Sequence, residues 1–342
     1  MTIAIHRNNP KVFFCKRWIE YCEKENIPYK IVNAYDNDII EQLRDCDAFM
    51  WHHSNYDYKD ALFAKQLLFS LEQSGIKVFP NFQTNWHFDD KVGQKYLLEA
   101  INAPLVPSYV FYTKQEALRW VNKTVFPKVF KLRGGSGSSN VKLVKTKRTA
   151  IRLINKAFGR GFSQFDKINH LKFRYGNFKS GKENFTSVLK GIARLFIGTK
   201  YSNNFPQEKG YIYFQEFIPN NNFDIRIIVI GDKAFALKRL VRKGDFRASG
   251  SGNIIYDKNE IDVRCVQLSF NINRSIQAQS IAFDYVFDEQ SNPQVVEMSY
   301  GFAVEAYDNC PGYWDSQLQW HEGKFNPQKW MIMDLINLIN QK

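Results

Sequence analysis

Apolar residues along this chain recur with two different spacings, and the switch between them marks its elements. Thr2–His6, Tyr29–Asn33, Ala48–Trp51 and Lys77–Pro80 are short apolar runs of the kind that form strands. Between them, Val12–Lys24 and Asp60–Ser74 repeat apolar positions at helical spacing, and Gly75 supplies a stop for the second. Strands alternating with helices predict a small parallel α/β unit over residues 1–84. Its first strand is not followed by the Gly-rich fingerprint of a dinucleotide domain. A helical run, Val92–Ile101, and an apolar strand, Phe126–Lys131, come next. From residue 211 paired strands take over. Tyr211–Ile218 ends at Pro219, and Asp224–Ile230 is predicted to pair with Lys233–Arg239 about the turn Gly231-Asp232. That register sets Asp224 opposite Arg239 and Arg226 opposite Leu237, so three charges share a face. Phe283–Phe287 and Gln294–Met298 read as a second hairpin around the polar turn Asp288–Pro293, and Pro327–Asn340 as a closing helix.

The second hairpin carries the sharpest chemistry. Symmetry about its turn places Asp284 opposite Glu297, and the period of two puts Ser299 on the face of Glu297. Two facing carboxylates repel, and burying them uncompensated is costly. A hard cation such as Mg²⁺, shared with substrate phosphates, would resolve this. Taken alone, the stretch also fits a solvated hairpin with two edge acids, and a one-residue slip would separate the pair. The lysine-bearing strand Phe126–Lys131 feeds Leu132-Arg133-Gly134-Gly135-Ser136-Gly137-Ser138-Ser139-Asn140. Such a loop either lets backbone N–H groups cradle phosphate oxygens or makes a flexible connection. Gly176–Glu183 has the spacing of a nucleotide-binding loop. It ends in Glu183 where a hydroxyl should meet Mg²⁺, and Lys172–Tyr175 before it is basic rather than a buried strand, so it is set aside.

Composition narrows the class. At 342 residues, 44% hydrophobic and 24% charged, the chain is that of a globular protein of two or three subdomains. No apolar run reaches membrane-span length and the start lacks a signal peptide's apolar segment. Five cysteines without zinc-ligand spacing read as reduced thiols, so a cytoplasmic location is expected. The net charge of +13 is concentrated: residues 142–209 hold 16 Lys/Arg against three acids, leaving 31 of each sign elsewhere. A field of this kind draws polyanions, whether nucleic acid, acidic headgroups, acidic glycans or phosphorylated substrates. An acidic glycan precursor is the expected acceptor, with nucleic acid not expected. Tyr313, Trp314 and Trp320 either stack on sugar faces or pack in the core. Trp51-His52-His53-Ser54-Asn55 follows a strand end, where open α/β sheets place ligands, although these histidines read as surface or packing residues.

In order, Asp90-Lys91, the lysine strand with its Gly-rich loop, Tyr213–Ile218, Asp224-Ile225-Arg226, Gly244–Arg247, Asp284 and Glu297 resemble the ATP-grasp superfamily. The similarity spans roughly residues 85–300 and is greatest to the branch of ribosomal-protein glutamate ligase and glutathione synthetase. The resemblance implies an α/β (α+β) fold in which residues 85–342 form the ATP-grasp region behind the N-terminal unit. Residues up to about 210 then hold the Gly-rich loop and a long basic insertion, with the nucleotide linker and metal site after them. It further implies that Lys91 and Lys131 contact ATP phosphates under a lid of Gly134, Gly135, Ser136, Gly137 and Ser138. Gln215, Glu216, Phe217 and Ile218 would contact adenine and Asp224 the ribose. Arg226, Arg239 and Arg247 would act on the γ-phosphate and reacting carboxylate, and Asp284, Glu297 and Ser299 would hold two Mg²⁺ ions. The family usually has Asn where Ser299 stands. The expected activity is ATP-dependent ligation of a carboxylate to an amine through an acyl phosphate. A hydroxyl kinase and a polyanion-binding protein with a regulatory nucleotide site are the alternatives.

Overall fold

The computed structural model describes residues 1–8, 14–55, 57–135, 140–164, 184–196, 206–242, 245–248 and 252–341, with single positions 171, 175, 178 and 250. Ser136, Gly137, Ser138, Gly244 and part of the basic segment, including most of Gly176–Glu183, lie outside the described residues.

Strands β1 (Ile3–His6), β2 (Tyr29–Val32), β3 (Ala48–Met50) and β4 (Lys77–Phe79) form a parallel sheet in the order β2-β1-β3-β4. Helix α1 (Cys15–Lys24) buries Trp18 and Cys22. The expected helix over Val12–Lys24 is thus seen from Cys15, its first two residues lying outside the described set. The short α2 (Ile39–Gln42) and α3 (Tyr58–Gln73) complete this unit. One side of it closes on its own residues, among them Ala4, Phe49, Leu68 and Val78, and the other does not. Ile3, Trp18, Met50 and Phe79 share one apolar cluster with Ile228, Phe235, Tyr300 and Leu335 from the far half of the chain.

After α4 (Phe82–Asn85), the next helix, α5 (Lys91–Ala100), is started by Asp90. Its side chain accepts from the Val92 and Gly93 N–H groups, making Lys91 the first helical residue. A four-stranded antiparallel sheet follows, ordered β5-β8-β6-β7, from β5 (Ser108–Phe111), β6 (Lys128–Lys131), β7 (Lys142–Val144) and β8 (Ile212–Glu216). Helices α6 (Lys114–Lys123) and α7 (Lys147–Ala157) supply its apolar backing through Ala117, Val121, Ala150 and Ile154. Helix α8 (Phe185–Phe196) lies in the basic segment.

The third sheet is built on β9 (Phe223–Ile230), β10 (Lys233–Leu240), β12 (Ser280–Phe287) and β13 (Pro293–Ser299), with β11 (Ile254–Ile255), β14 (Gly312–Asp315) and β15 (Trp320–Glu322) on its far side. The turn between β9 and β10 needs a residue at positive φ, and Gly231 supplies it at +55°. Register then follows the expected pattern, with Arg239 opposite Asp224 and Leu237 opposite Arg226. Helix α9 (Val263–Ile276) covers one face of this sheet. Helix α10 (Pro327–Asn340), capped by Asn326 with Pro327 at its first turn, buries Met331, Ile332, Leu335 and Ile339 against the other. Tyr313 stacks on His321, while Trp314 is buried against Trp320, so these rings pack.

Candidate active site

The β12–β13 hairpin places Asp284 opposite Glu297, by a route the simple symmetry did not contain. Tyr285 pairs with Val295, Val286 with Gln294 and Phe287 with Pro293, a register one residue short of the expected one. A β-bulge at Val296 then adds the missing residue. Without it, Asp284 would face Val296.

Both carboxylates have cationic side chains beside them, so the compensating charge expected of a metal is already supplied in part by the protein. Arg226 grips Asp284 with two donors, NH2 standing 2.7 Å from Oδ2. Arg239 forms the matching fork on Asp224 at 2.6 and 2.7 Å and reaches Asp284 Oδ1 at 3.0 Å. Burial alone would push Asp284 up, but the two guanidinium groups hold it well below the usual carboxylate range. Asp224 moves up, because burial there outweighs Arg239. Lys91 Nζ lies 2.9 Å from Glu297 Oε1 and donates to the Gly135 carbonyl at 2.7 Å.

Strand β6 divides its two lysines by parity. Lys131 faces inward and donates to Gln215 Oε1 at 2.6 Å, while Lys128 faces away and binds both oxygens of Glu216. Burial lowers Lys131 to about 8, with Glu297 acting in the opposite direction. The Gln215 amide is buried and also donates to Ser108 Oγ at 3.1 Å. The Glu216 carboxylate is occupied by Lys128 and Tyr109. Phe217 and Ile218 follow Gln215 and Glu216 on the cavity lining. Phe217 meets Phe246 edge-on, with centroids 5.9 Å apart.

These groups border one cavity of about 660 Å³ between the two antiparallel sheets. Lys91, Lys131, Gly135, Gln215, Glu216, Phe217, Ile218, Asp224, Arg226, Arg247, Asp284, Glu297 and Ser299 all line it. Arg239 and Gly134 are not among its lining residues; Arg239 supports Asp224 and Asp284 instead. Arg247 is paired with Asp245 at 2.7 Å.

Sequence reasoning underrated the other wall. His52, His53, Ser54, Asn55, Phe88 and Asp89 line it, brought there by the loop after β3 and the residues before α5. The histidines also pack: His52 stacks on Phe14 at 3.7 Å and His53 lies against Phe88 and Tyr300. Burial lowers His52 to about 3 and His53 well below its ordinary value, so both are neutral. Their position after a strand end was the available signal.

Among the described residues, no group of three or more His, Cys, Asp or Glu forms a metal cage. Two carboxylates in register and the Ser299 hydroxyl, which itself donates to the Gly301 carbonyl at 2.9 Å, are hard oxygen ligands. They suit Mg²⁺ completing its shell with phosphate and water oxygens. All five cysteines are free and buried, and no helix among the described residues is long and apolar enough to cross a membrane.

Comparison with known proteins agrees with this architecture. Residues 202–310 match the family described as RimK-like ATP-grasp domain. The α-aminoadipate–LysW ligase LysX of Saccharolobus solfataricus is 21% identical over 295 residues, covering 85% of this chain and 87% of that protein. Among solved structures, D-alanine–D-alanine ligase from Bacillus anthracis complexed with ATP aligns over 100% of this chain and 98% of its own, with a TM-score of 0.58 at 12% identity. A RimK domain ATP-grasp protein from Sphaerobacter thermophilus aligns over 98% and 100%, with a TM-score of 0.57 at 13% identity. Residues 202–310 thus carry the RimK-like ATP-grasp match, and the chain as a whole shares its fold with ATP-grasp structures.

Proposed function

We propose that this ATP-dependent ligase activates a carboxylate as an acyl phosphate and passes the acyl group to an amine. The observation that carries the reading is the in-register pair Asp284 and Glu297, set in one cavity with Lys91, Lys131 and Arg226. Relatives named as ligases of α-aminoadipate with LysW and of D-alanine with D-alanine support the class.

In this mechanism Lys91 and Lys131 bind phosphate oxygens, and Phe217, Ile218 and the 215–218 backbone hold adenine, with Asp224 at the ribose. Asp284, Glu297 and Ser299 would hold Mg²⁺, which when bound neutralises charge on the transferring phosphoryl group. A substrate carboxylate oxygen attacks the γ-phosphorus as the bond to ADP breaks, with Arg226 and Arg247 stabilising the spreading charge. The amine nitrogen then attacks the acyl carbon, phosphate leaves, and the amine proton passes to solvent. Exclusion of water from the cavity protects the acyl phosphate from hydrolysis. For the acceptor we infer a large anionic molecule, such as an acidic glycan precursor, attracted by the excess charge of residues 142–209.

The test is an ADP-release screen across acids and amines, with hydroxylamine added as a trap. A hydroxamate product is expected. Phosphorylation of a hydroxyl without hydroxamate would replace the ligase with a kinase.

A further inference from the structure

One half-buried carboxylate on the cavity wall, Asp89, has no part in the reaction as drawn. Asp89 sits at φ +55°, a left-handed conformation uncommon outside glycine and kept where neighbours over-determine it. The Gly-rich loop supplies those neighbours: Oδ1 accepts from the Gly135 N–H at 2.8 Å. Approach to the Gly-rich loop is so close that a Cβ on Gly134 would stand 3.1 Å from Oδ2. Backbone bonding repeats the link, since the Lys91 N–H donates to the Arg133 carbonyl at 3.0 Å. Charge-assisted bonds of this kind are among the stronger ones in a protein, and they lie in a poorly hydrated place.

We propose that Asp89 is a positioning residue that latches the start of the Gly-rich loop, Gly134–Gly135, to the segment entering α5 on the cavity's facing wall. It thereby orients the backbone that meets nucleotide phosphates, without itself touching them. The proposal rests on the ATP-grasp reading of the cavity. It predicts that nucleotide affinity depends on a carboxylate's shape and acceptor more than on its charge.

The experiment is calorimetric titration of MgADP into the full-length protein and its variants, each checked by thermal melting. Asp89→Ala is expected to weaken MgADP by about tenfold or more, the equivalent of about 1.4 kcal/mol. Asp89→Asn keeps an oxygen acceptor for the Gly135 N–H and should return affinity to within about threefold, a rescue on the scale of a single hydrogen bond. Wild-type affinity in Asp89→Ala overturns the latch, and so does an Asn variant as weak as the Ala variant, which would assign the effect to charge beside Lys91. Should Asp89→Ala fail to fold, Gly134→Ala decides: it crowds Oδ2 with the carboxylate in place, and unchanged MgADP affinity there overturns the proposal. If the wild-type protein binds no MgADP at all, the ligase reading falls first and takes the latch with it.

Discussion

Asp284 lies between Arg226 and Arg239, and Glu297 touches Lys91, so both carboxylates proposed as metal ligands already have cationic partners. A metal entering here exchanges with those contacts, and nucleotide phosphates offer the displaced cations a new anion. Removing one ligand should therefore be severe. Glu297→Gln is expected to reduce ADP release by at least about 10²-fold, the upper range for losing even an outer-shell partner, and to raise the Mg²⁺ concentration needed. Unchanged turnover would take Glu297 out of the metal site. Lys131 gives a pH prediction. Its folded value, about 8, lies below the free-lysine value, so the nucleotide-free protein sheds this proton before the unfolded chain does and gains stability from about 8 upward. A bound phosphate favours the charged lysine, so nucleotide affinity should be level below that pH and fall by up to about tenfold per unit above it. Lys131→Arg should flatten the slope. Titration in buffers of differing ionisation enthalpy would show proton uptake in the wild type alone.

At the scale of elements, the site is made by alternation and one irregularity. Lys128 and Lys131 are three residues apart on β6 and so face opposite ways, one tying β6 to β8 through Glu216 and the other entering the cavity. The Lys128–Glu216 pair holds the central strands of the smaller sheet together. Glu216→Gln should destabilise the protein by about 3 kcal/mol, since Lys128 is buried and loses its counter-ion. Lys128→Met should cost less, because Glu216 is partly exposed to water. Denaturant melts of the two variants compare the effects directly, and equal shifts would contradict this asymmetry. The irregularity is the bulge at Val296, which sets Glu297 against Asp284. The pairing was legible from the sequence; its cause was not, because one extra residue in a strand has no side-chain signature of its own.

For the whole molecule, three sheets meet around one cavity, and the N-terminal unit contributes a wall to it as well as apolar residues to the shared core. Charge is distributed differently, with the surplus confined to residues 142–209. If that surplus recruits the acceptor, the acceptor's KM should rise steeply with salt, while KM for ATP, set by buried groups, changes little. Parallel salt responses of the two constants would count against recruitment by this segment.

The sequence by itself determined the parallel unit, the two hairpins, the closing helix and the facing of Asp284 and Glu297. These depend on periodicity, turn chemistry and ordered motifs, which act over a few residues. Tertiary structure alone decided how the charges are matched. It turned Arg239 behind the site, placed Lys91 on Glu297, closed Gln215 and Glu216 against the two lysines, and brought His52, His53 and Asp89 to the facing wall. Ion pairing and burial join residues tens to hundreds of positions apart, and no local pattern encodes which of several nearby cations a carboxylate will meet.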